Sequence, residues 1–310
     1  MRAVLLFPGQ GSQAVGMGKA LYDRFPYTRE LFALADEILG FRLSKLCFEG
    51  PEEELTLTAN AQPALLLVST ALLRVLQTES QLEVVAGAGH SLGEFSALVA
   101  AGALPLEDGL RVVRERGRAM QEAVPVGRGA MAAVFGLDRE TIAALCQEEQ
   151  THGEVVAPAN YNGAGQIVIA GDRAAVERVA AKARTSGAKR VVPLAVSAPF
   201  HCALMAPAAE RLREVLASVR LVPPSFPIIA NVTAQEYPAD PGEICKLLVE
   251  QVTQPVRWEE CLHTLAKYPA ETAVEVGPGK VLTNLAKRMQ PQWQSIPGET
   301  LVLRRDEVGQ

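Results

Sequence analysis

Short apolar runs alternate with amphipathic helical patterns along the chain, and this alternation limits the folds available to it. The apolar runs lie at Ala3–Phe7, Val84–Ala88, Ile228–Val232 and Ala273–Val276. Apolar residues at successive positions are typical of strands buried on both faces of a parallel sheet. The helical patterns are Tyr27–Leu39, Pro63–Leu76, Gly93–Ala101, Leu106–Glu122, Leu204–Val219 and Arg257–Lys267. We therefore predict a three-layer α/β fold, with helices on both faces of a parallel sheet.

The middle of the chain has a different order of elements. Strands are predicted at Ala130–Phe135, Val155–Pro158, Gln166–Ala170 and Lys189–Val196, and helices at Arg139–Glu149 and Arg173–Ser186. The order β-α-β-β-α-β is that of the split ferredoxin-like unit. We expect a small subdomain at 125–198, inserted into a large α/β domain made of 1–124 and 199–310. A ligand site is expected in the cleft between them.

Composition excludes several classes of protein. Hydrophobic residues make up 48% of the 310 positions, which is enough for a large core, and the net charge of −5 argues against a nucleic-acid-binding surface. The five cysteines form no CxxC pair, so a zinc site or disulfide framework is not expected. No signal-peptide pattern is present, and the longest apolar run, ALLLVSTALL from Ala64, is too short to cross a bilayer. These features predict a soluble cytoplasmic protein.

The segment GHSLGE at Gly89–Glu94 is a G-x-S-x-G motif between the apolar segment VVAGA and the helical pattern EFSALVAAG. A strand, a sharp turn and a helix are the context of a nucleophile elbow. Small flanking residues let the chain turn and expose the Ser91 hydroxyl, while the N–H of Leu92 points toward an attacked carbonyl. A chance match in a glycine-rich chain is the alternative, and the context favours catalysis.

A serine nucleophile needs a base, which is usually a histidine, and the chain has four. His152 lies in a polar loop, and His263 lies on the polar side of a predicted helix. His90 adjoins Ser91 but leaves the elbow in another direction, so a packing role is expected. His201 lies in the apolar segment SAPFHCALM at the predicted subdomain junction. A buried core histidine is the alternative, but opposite an elbow we favour His201 as the base.

One arginine lies on an unexpected side of its helix. In LEDGLRVVRERGRAMQEA, Arg116 falls beside Val113 and Met120 at the edge of the apolar face. Guanidinium groups are seldom buried without a partner. The pattern leaves two explanations open. Arg116 pairs with an internal carboxylate or extends to water, or it is a bidentate clamp for the carboxylate of a substrate.

The opening segment VLLFPGQGSQAVGMG fits the dinucleotide fingerprint G-x-G-x-x-G/A at Gly9, Gly11 and Ala14. A dinucleotide fold also needs a second strand that ends in Asp or Glu about 20 residues later. The segment there, YTRELFALADEILG, has a helical pattern instead. We therefore expect the glycines to bring the backbone close to a reacting centre rather than to a pyrophosphate.

Six segments together resemble the malonyl-CoA:acyl carrier protein transacylases. They are FPGQGSQ, GHSLGE, RGRAMQEAVP, the APFH histidine segment, QPVRW and EVGPGKVL, and they cover nearly the whole chain in the order of that family. The resemblance implies an α/β-hydrolase-like domain with a ferredoxin-like insert. It also implies ping-pong transfer of a malonyl group from malonyl-CoA to the phosphopantetheine thiol of holo acyl carrier protein. Neither step of that reaction needs a bound metal or redox cofactor.

The same resemblance implies roles for individual residues. Ser91 would carry the acyl group as an ester, and His201 would activate it. The backbone carbonyl of Gln251 would orient the imidazole, so that no third carboxylate is needed. Arg116 would bind the free carboxylate of malonate, which favours the clamp over the internal pair.

Further positions follow from the resemblance around the proposed nucleophile. The backbone N–H groups of Gln10 and Leu92 would form the oxyanion hole. Phe200 matches the phenylalanine that malonyl-selective members often have before the histidine. Asn160 and Asn162 resemble asparagines that line the pocket.

The implied macromolecular partner is an acidic carrier protein. Five basic residues are candidates for its docking surface, although surface charges are often only solvated: Lys189, Arg190, Lys280, Lys287 and Arg288. No strong self-association feature stands out, so a monomer is expected, without nucleic-acid or membrane partners.

Two alternatives to a fatty-acid enzyme remain. An ordinary serine esterase would have an HGGG-type loop and a histidine near the C-terminus, whereas this chain has no HGGG and continues well past His201. Discrete acyltransferases of polyketide pathways and the malonyltransferase subunit of malonate decarboxylase share the motifs, and the sequence does not separate them.

Overall fold

Strands and helices alternate along the chain, which the computed structural model describes at residues 1–150, 153–196 and 198–303. The strands are β1 (Arg2–Phe7), β2 (Glu83–Gly89), β3 (Gly129–Phe135), β4 (Val156–Gly163), β5 (Gln166–Asp172), β6 (Arg190–Pro193), β7 (Ile228–Ile229), β8 (Thr272–Glu275) and β9 (Gln294–Pro297). The helices are α1 (Lys19–Arg24), α2 (Arg29–Leu39), α3 (Leu43–Glu49), α4 (Glu52–Thr56), α5 (Thr58–Glu79), α6 (Leu92–Ala100), α7 (Leu106–Glu122), α8 (Arg139–Glu149), α9 (Arg173–Thr185), α10 (Ala206–Leu216), α11 (Pro241–Glu250), α12 (Trp258–Leu265), α13 (Val281–Met289) and α14 (Glu299–Val302).

The larger sheet has the strand order β7-β2-β1-β8-β9, and its neighbouring strands are parallel. Successive residues of β1 face opposite sides, as the strand period requires. Leu5 and Phe7 pack into the core that contains α5 and α6, whereas Val4 and Leu6 pack into the core that contains α12 and α13. Both faces of the sheet are therefore covered by helices, and the predicted α/β class is confirmed.

The second sheet is antiparallel, with the order β4-β5-β3-β6, and α8 and α9 pack on one face of it. Its elements follow one another as β-α-β-β-α-β, as predicted from the sequence. Strand β4 also contacts the chain before α12, because Val256 donates its N–H to Ala159 O and accepts from the N–H of Tyr161, both at 2.9 Å. This contact holds β4 beside the larger sheet. The boundaries at 125 and 198 remain a prediction.

Helix α5 begins at Thr58, five residues before the predicted start at Pro63. A proline inside a helix has no N–H to donate, so the carbonyl four residues earlier loses its helical partner. That carbonyl belongs to Ala59, and it accepts a hydrogen bond of 2.6 Å from Nη1 of Arg114 on α7. The helix continues through Pro63 because a neighbouring helix supplies the missing donor.

The length of α5 also changes what the sequence implied about membranes. With 22 residues it is long and apolar enough to cross a bilayer, although the shorter run within it seemed insufficient. In the structure, 78% of its most apolar stretch is buried inside the fold. Burial of this extent is typical of a helix in the core of a folded domain.

Other differences from the sequence prediction lie at the ends of elements. Strand β7 stops at Ile229 and β6 stops at Pro193, earlier than the apolar patterns suggest. Strand β9 and helix α13 were not predicted. Helix α7 has the predicted bounds, Leu106–Glu122.

Candidate active site

The nucleophile elbow lies at the carboxyl end of β2, where ligand sites of parallel α/β sheets are found. Strand β2 ends at Gly89 and α6 begins at Leu92, so Ser91 occupies the turn between them. Ser91 has φ 52° and ψ −106°, a conformation that non-glycine residues seldom adopt. Its N–H donates to Oδ1 of Asn231 at 2.8 Å, and Asn231 Nδ2 donates to Gly89 O at 2.7 Å. Asn231 therefore holds both sides of the turn.

The two glycines of the motif are needed because the backbone segments approach too closely for a side chain. A Cβ atom at Gly89 would overlap the carbonyl group of Gly93, and a Cβ atom at Gly93 would overlap the carbonyl oxygen of Phe7 on β1. The tight turn therefore depends on glycine at these positions for steric reasons.

Ser91 and His201 form a hydrogen-bonded pair. The distance from Ser91 Oγ to His201 Nε2 is 2.8 Å. His201 Nδ1 lies 2.8 Å from the carbonyl oxygen of Gln251, which can only accept a hydrogen bond. The proton of a neutral imidazole is therefore on Nδ1, and Nε2 is free to accept from the serine hydroxyl.

The surroundings of His201 favour its neutral form. The pKa of His201 is lowered from 6.5 to about 3, mainly by burial and then by the positive charge of Arg116, while the hydrogen bond to Gln251 acts in the opposite direction. A neutral imidazole is the form that can take a proton from a hydroxyl.

Arg116 is buried beside this pair, with 1% of its surface exposed. Its Nη1 donates to Gln62 Oε1 at 2.8 Å, and its Nη2 donates to Gln251 Oε1 at 2.7 Å and to Ser91 Oγ at 3.2 Å. Its acceptors among the described residues are thus amide and hydroxyl oxygens rather than carboxylates. Burial lowers the pKa of Arg116 to about 10, so the group stays charged at neutral pH. The first of the two explanations that the sequence left open, a direct internal ion pair or a guanidinium that extends to water, is therefore wrong in both its forms.

The position of Arg116 depends on close packing between α5 and α7. At Gly117 a Cβ atom would lie 2.6 Å from the carbonyl oxygen of Thr58. Without a side chain there, α7 lies against α5, and Arg116 reaches Gln62 on that helix. Phe95 of α6 lies against the guanidinium, 5.3 Å from its central carbon to the ring centroid.

The serine, the histidine and the arginine share a cavity of about 160 Å³ between the two sheets. The sequence-predicted residues that line it are Gln10, Ser91, Leu92, Arg116, Asn160, Phe200 and His201. Leu92 is the first residue of α6, so its N–H has no acceptor within the helix. Met131 and Leu194 complete the wall on the side of the smaller sheet.

The side chains of Asn162 and His90 form a hydrogen bond with each other. Asn162 is not among the described residues that line the cavity, and its Oδ1 lies 2.8 Å from Nε2 of His90. The imidazole of His90 also packs against Trp258, with ring centroids 5.5 Å apart. Asn162 therefore contacts a residue that lines the cavity, and its own pocket role remains a prediction. His263 is exposed, as predicted, and His152 lies outside the described residues.

Three residues of the site were missed by sequence reasoning. Asn231 lies two positions after the last residue of β7, and a polar residue just beyond a buried strand was its available signal. Glu94 is the last residue of GHSLGE, and it is buried with 1% exposure. Gln62 lies within the apolar pattern of α5, where a buried amide is itself unusual.

The opening loop contributes to the cavity through Gln10 and Gly11. The segment that would have to form the second strand of a dinucleotide fold is helix α2. Among the residues that the structure describes, no cluster of three His, Cys, Asp or Glu side chains is placed to hold a metal ion. All five cysteines are free thiols.

Two known sequences similar to this chain have the same activity in their names. A malonyl CoA-acyl carrier protein transacylase of Bacillus subtilis is 48% identical over 295 residues, which are 95% of this chain and 92% of that protein. A protein of the same name from Escherichia coli K12 is 48% identical and matches 92% of this chain and 91% of its own length.

Solved structures agree with this chain over nearly its whole length. An acyl-carrier-protein S-malonyltransferase from Bartonella henselae superimposes with a TM-score of 0.92 at 46% identity, covering 99% of this chain and 97% of its own. A malonyl-transacylase in complex with a type II PKS acyl-carrier protein gives 0.91 at 44%, covering 96% and 95%. The model of the acyl transferase domain matches residues 4–309. The chain is therefore a member of the acyl transferase domain family.

Proposed function

We propose that this protein transfers a malonyl group from malonyl-CoA to the phosphopantetheine thiol of a holo acyl carrier protein, through a malonyl ester of Ser91. The observation that carries the proposal is the arrangement around Ser91 Oγ. One neutral imidazole nitrogen lies 2.8 Å from it and one charged guanidinium nitrogen lies 3.2 Å from it. The first activates a hydroxyl, and the second binds an acyl group that has its own carboxylate.

In the first half-reaction His201 acts as a general base. Its Nε2 takes the hydroxyl proton as Ser91 Oγ attacks the thioester carbonyl of malonyl-CoA. The carbon–sulfur bond breaks, and the proton on Nε2 passes to the departing coenzyme A thiolate. The carbonyl of Gln251 holds the ring in the required tautomer and stabilises the imidazolium while it exists.

In the second half-reaction the roles reverse. The phosphopantetheine thiol gives its proton to Nε2 of His201 and attacks the ester carbonyl. The ester carbon–oxygen bond breaks, and Ser91 Oγ regains the proton. No net proton or electron is left over, so the cycle needs no bound cofactor.

The oxyanion of each tetrahedral intermediate would be bound by the backbone N–H groups of Gln10 and Leu92. Both residues line the cavity beside Ser91, and Leu92 stands at the positive N-terminal end of α6. The malonate carboxylate would accept from Arg116, whose present acceptors are neutral oxygens that it can displace. Phe200 and Asn160 would enclose the acyl group.

The acceptor in this proposal is a carrier protein of fatty-acid or polyketide synthesis. Its support is the solved malonyl-transacylase that is bound to an acyl-carrier protein. The five basic residues suggested as a docking surface, Lys189, Arg190, Lys280, Lys287 and Arg288, are exposed. We propose that the enzyme works as a monomer in a reducing cytoplasm, where its five free thiols are stable.

The test is an intact-mass measurement after brief mixing with malonyl-CoA. The wild-type protein should gain the mass of one malonyl group and lose it again when holo acyl carrier protein is added. Ser91→Ala should gain nothing. An adduct that persists in Ser91→Ala would place the nucleophile elsewhere, and hydrolysis without transfer to the carrier would favour an esterase.

A further inference from the structure

The carboxylate of Glu94 lies behind the proposed nucleophile and contacts none of the reacting atoms. It is buried in the first turn of α6. Its Oε1 accepts the backbone N–H of Asn231 at 3.0 Å and the hydroxyl of Tyr237 at 2.5 Å. Its Oε2 accepts from Nε2 of Gln251. Two of these three donors belong to Asn231 and Gln251, which hydrogen-bond to Ser91 and His201.

Gln251 is the first of them. It contacts the proposed base, the buried arginine and the backbone of the proposed nucleophile. Its backbone carbonyl accepts from His201, and its side-chain Oε1 accepts from Arg116 at 2.7 Å. Its Nε2 donates to the backbone oxygen of Ser91 at 2.9 Å in addition to Glu94. The side chain therefore connects the arginine to the elbow.

The direction of the Gln251 amide matters, because its two ends are chemically opposite. Arg116 can only donate hydrogen bonds, so it requires the oxygen end of the amide. An ionised carboxylate can only accept, so Glu94 requires the nitrogen end. Glu94, together with the backbone oxygen of Ser91, thus selects the orientation in which Gln251 presents an acceptor to Arg116.

Asn231 is the second residue that Glu94 holds. The carboxylate fixes its backbone, while its side chain accepts the N–H of Ser91 and donates to the carbonyl of Gly89. The strained turn at Ser91 is therefore braced from a residue that Glu94 positions.

Burial and hydrogen bonding act on Glu94 in opposite directions. The pKa of Glu94 is raised from 4.5 to about 7, because burial outweighs the hydrogen bonds from Tyr237, Gln251 and Asn231 and the charge of Arg116, all of which lower it. Burial and the charge of Glu94 raise the pKa of the neighbouring thiol of Cys261 on α12. The three hydrogen-bond donors and Arg116 thus favour the ionised, acceptor-only form of Glu94, and burial opposes it.

We infer that Glu94 is a positioning residue for the transfer reaction, which orients the Gln251 amide toward Arg116 and holds Asn231 behind Ser91. The inference rests on the proposed function. It predicts that Glu94 affects malonyl transfer more than acetyl transfer, because only malonate uses the guanidinium that Gln251 orients.

The test compares Glu94→Gln with wild type in single-turnover acylation by malonyl-CoA and by acetyl-CoA. A glutamine of the same size must present its NH₂ group either to Gln251 or to Asn231 and Tyr237, so one hydrogen bond becomes a repulsion. We expect the malonyl rate constant to fall by about tenfold or more, which corresponds to the loss of a hydrogen bond to a charged group. The malonyl-to-acetyl ratio should fall by several-fold.

A matched control and a double variant separate positioning from general destabilisation. Glu275 is equally buried and accepts from Leu282 and Thr283 at the start of α13, away from the cavity. Glu275→Gln should lower the thermal midpoint and leave the ratio unchanged. In a Gln251→Ala background, Glu94→Gln should have little further effect on the malonyl-to-acetyl ratio, because the amide that connects Glu94 to Arg116 is absent.

The outcomes are distinct. If wild-type protein forms no malonyl adduct, the proposed function itself is wrong. If wild type is acylated but Glu94→Gln keeps the wild-type ratio, or if its effect on the ratio is undiminished in the Gln251→Ala background, the positioning role is overturned.

Discussion

Ser91 and His201 both have left-handed backbone conformations, with φ of 52° and 60°, and their side chains meet at 2.8 Å. Each such conformation costs about 1–3 kcal/mol in a non-glycine residue. The hydrogen bonds of Asn231 and Gln251 to these two residues offset part of that cost. Two unfavourable backbone states are thus used together to bring a nucleophile and a base into contact.

Removing the guanidinium should change substrate preference more than overall activity. In Arg116→Ala, we expect malonyl transfer to fall by roughly a hundredfold, since a charge-assisted bidentate contact is lost. Acetyl transfer should fall by only several-fold. The measurement is kcat/KM for both acyl-CoA donors. Arg118→Ala, an exposed change on the same helix, is the control, and an equal loss for both donors would exclude a carboxylate clamp.

The low pKa of His201 predicts an unusual pH profile. Because the imidazole stays neutral down to a pKa of about 3, protonation of His201 should not lower the acylation rate as the pH decreases through 6.5. In Arg116→Ala the neighbouring positive charge is absent, so the pKa of His201 rises and the acid limb should move to higher pH. Both profiles are measured with acetyl-CoA in a Glu94→Gln background, which removes the carboxyl group whose pKa is raised to about 7. A limb centred near 6.5 in that background, with Arg116 present, would contradict the assignment.

Glycine at the elbow is predicted to be irreplaceable. In Gly93→Ala, the new methyl group would overlap the carbonyl oxygen of Phe7, so strand β1 or helix α6 must move. We expect a loss of about 1–3 kcal/mol in the free energy of unfolding and the loss of acylation. Gly109→Ala in α7 is the comparison, because its nearest neighbour is a Val99 methyl group that can shift. Similar chemical denaturation curves and acylation rates for the two variants would refute the steric argument.

The ion pairs between α8 and α12 should contribute modestly and depend on salt. Arg139 donates to Glu259 at 2.8 Å and to Glu260 at 2.5 Å, and all three side chains are partly exposed. We expect Arg139→Ala to lower stability by about 1 kcal/mol or less at low ionic strength, with a smaller effect at high salt. Thermal midpoints at two salt concentrations measure this. Arg213→Ala, which removes one exposed ion pair within α10, is the control and should lower the midpoint less. If the effect of Arg139→Ala does not depend on salt, the stabilisation comes from side-chain packing rather than from the ion pairs.

The sequence was informative where local patterns carry the structure. Helix α7 has strong amphipathic periodicity, and its bounds were predicted without error. The elbow was recognisable because a strand, a small-residue turn and a helix follow one another within a few positions. The β-α-β-β-α-β order was equally visible, since each of its elements has its own pattern.

Contacts between distant segments were not predictable in the same way. Nothing near Asn231 in the sequence indicates that its side chain reaches Ser91, 140 positions earlier. The start of α5 before Pro63 depends on a donor from Arg114, which a single-helix pattern cannot reveal. The sequence likewise does not show that Asn162 reaches His90, 72 positions earlier.

The bracing of Ser91 by Asn231 and Gln251 has a consequence for the order in which the protein is made. Synthesis proceeds from the N-terminus, so the serine leaves the ribosome well before the residues that hold its backbone. Those residues lie 140 and 160 positions further along the chain. A nascent chain that ends before residue 251 contains Ser91 but lacks the Gln251 contacts to the backbone of Ser91, to His201 and to Arg116. The protein therefore gains its reactivity only after residue 251 has been synthesised.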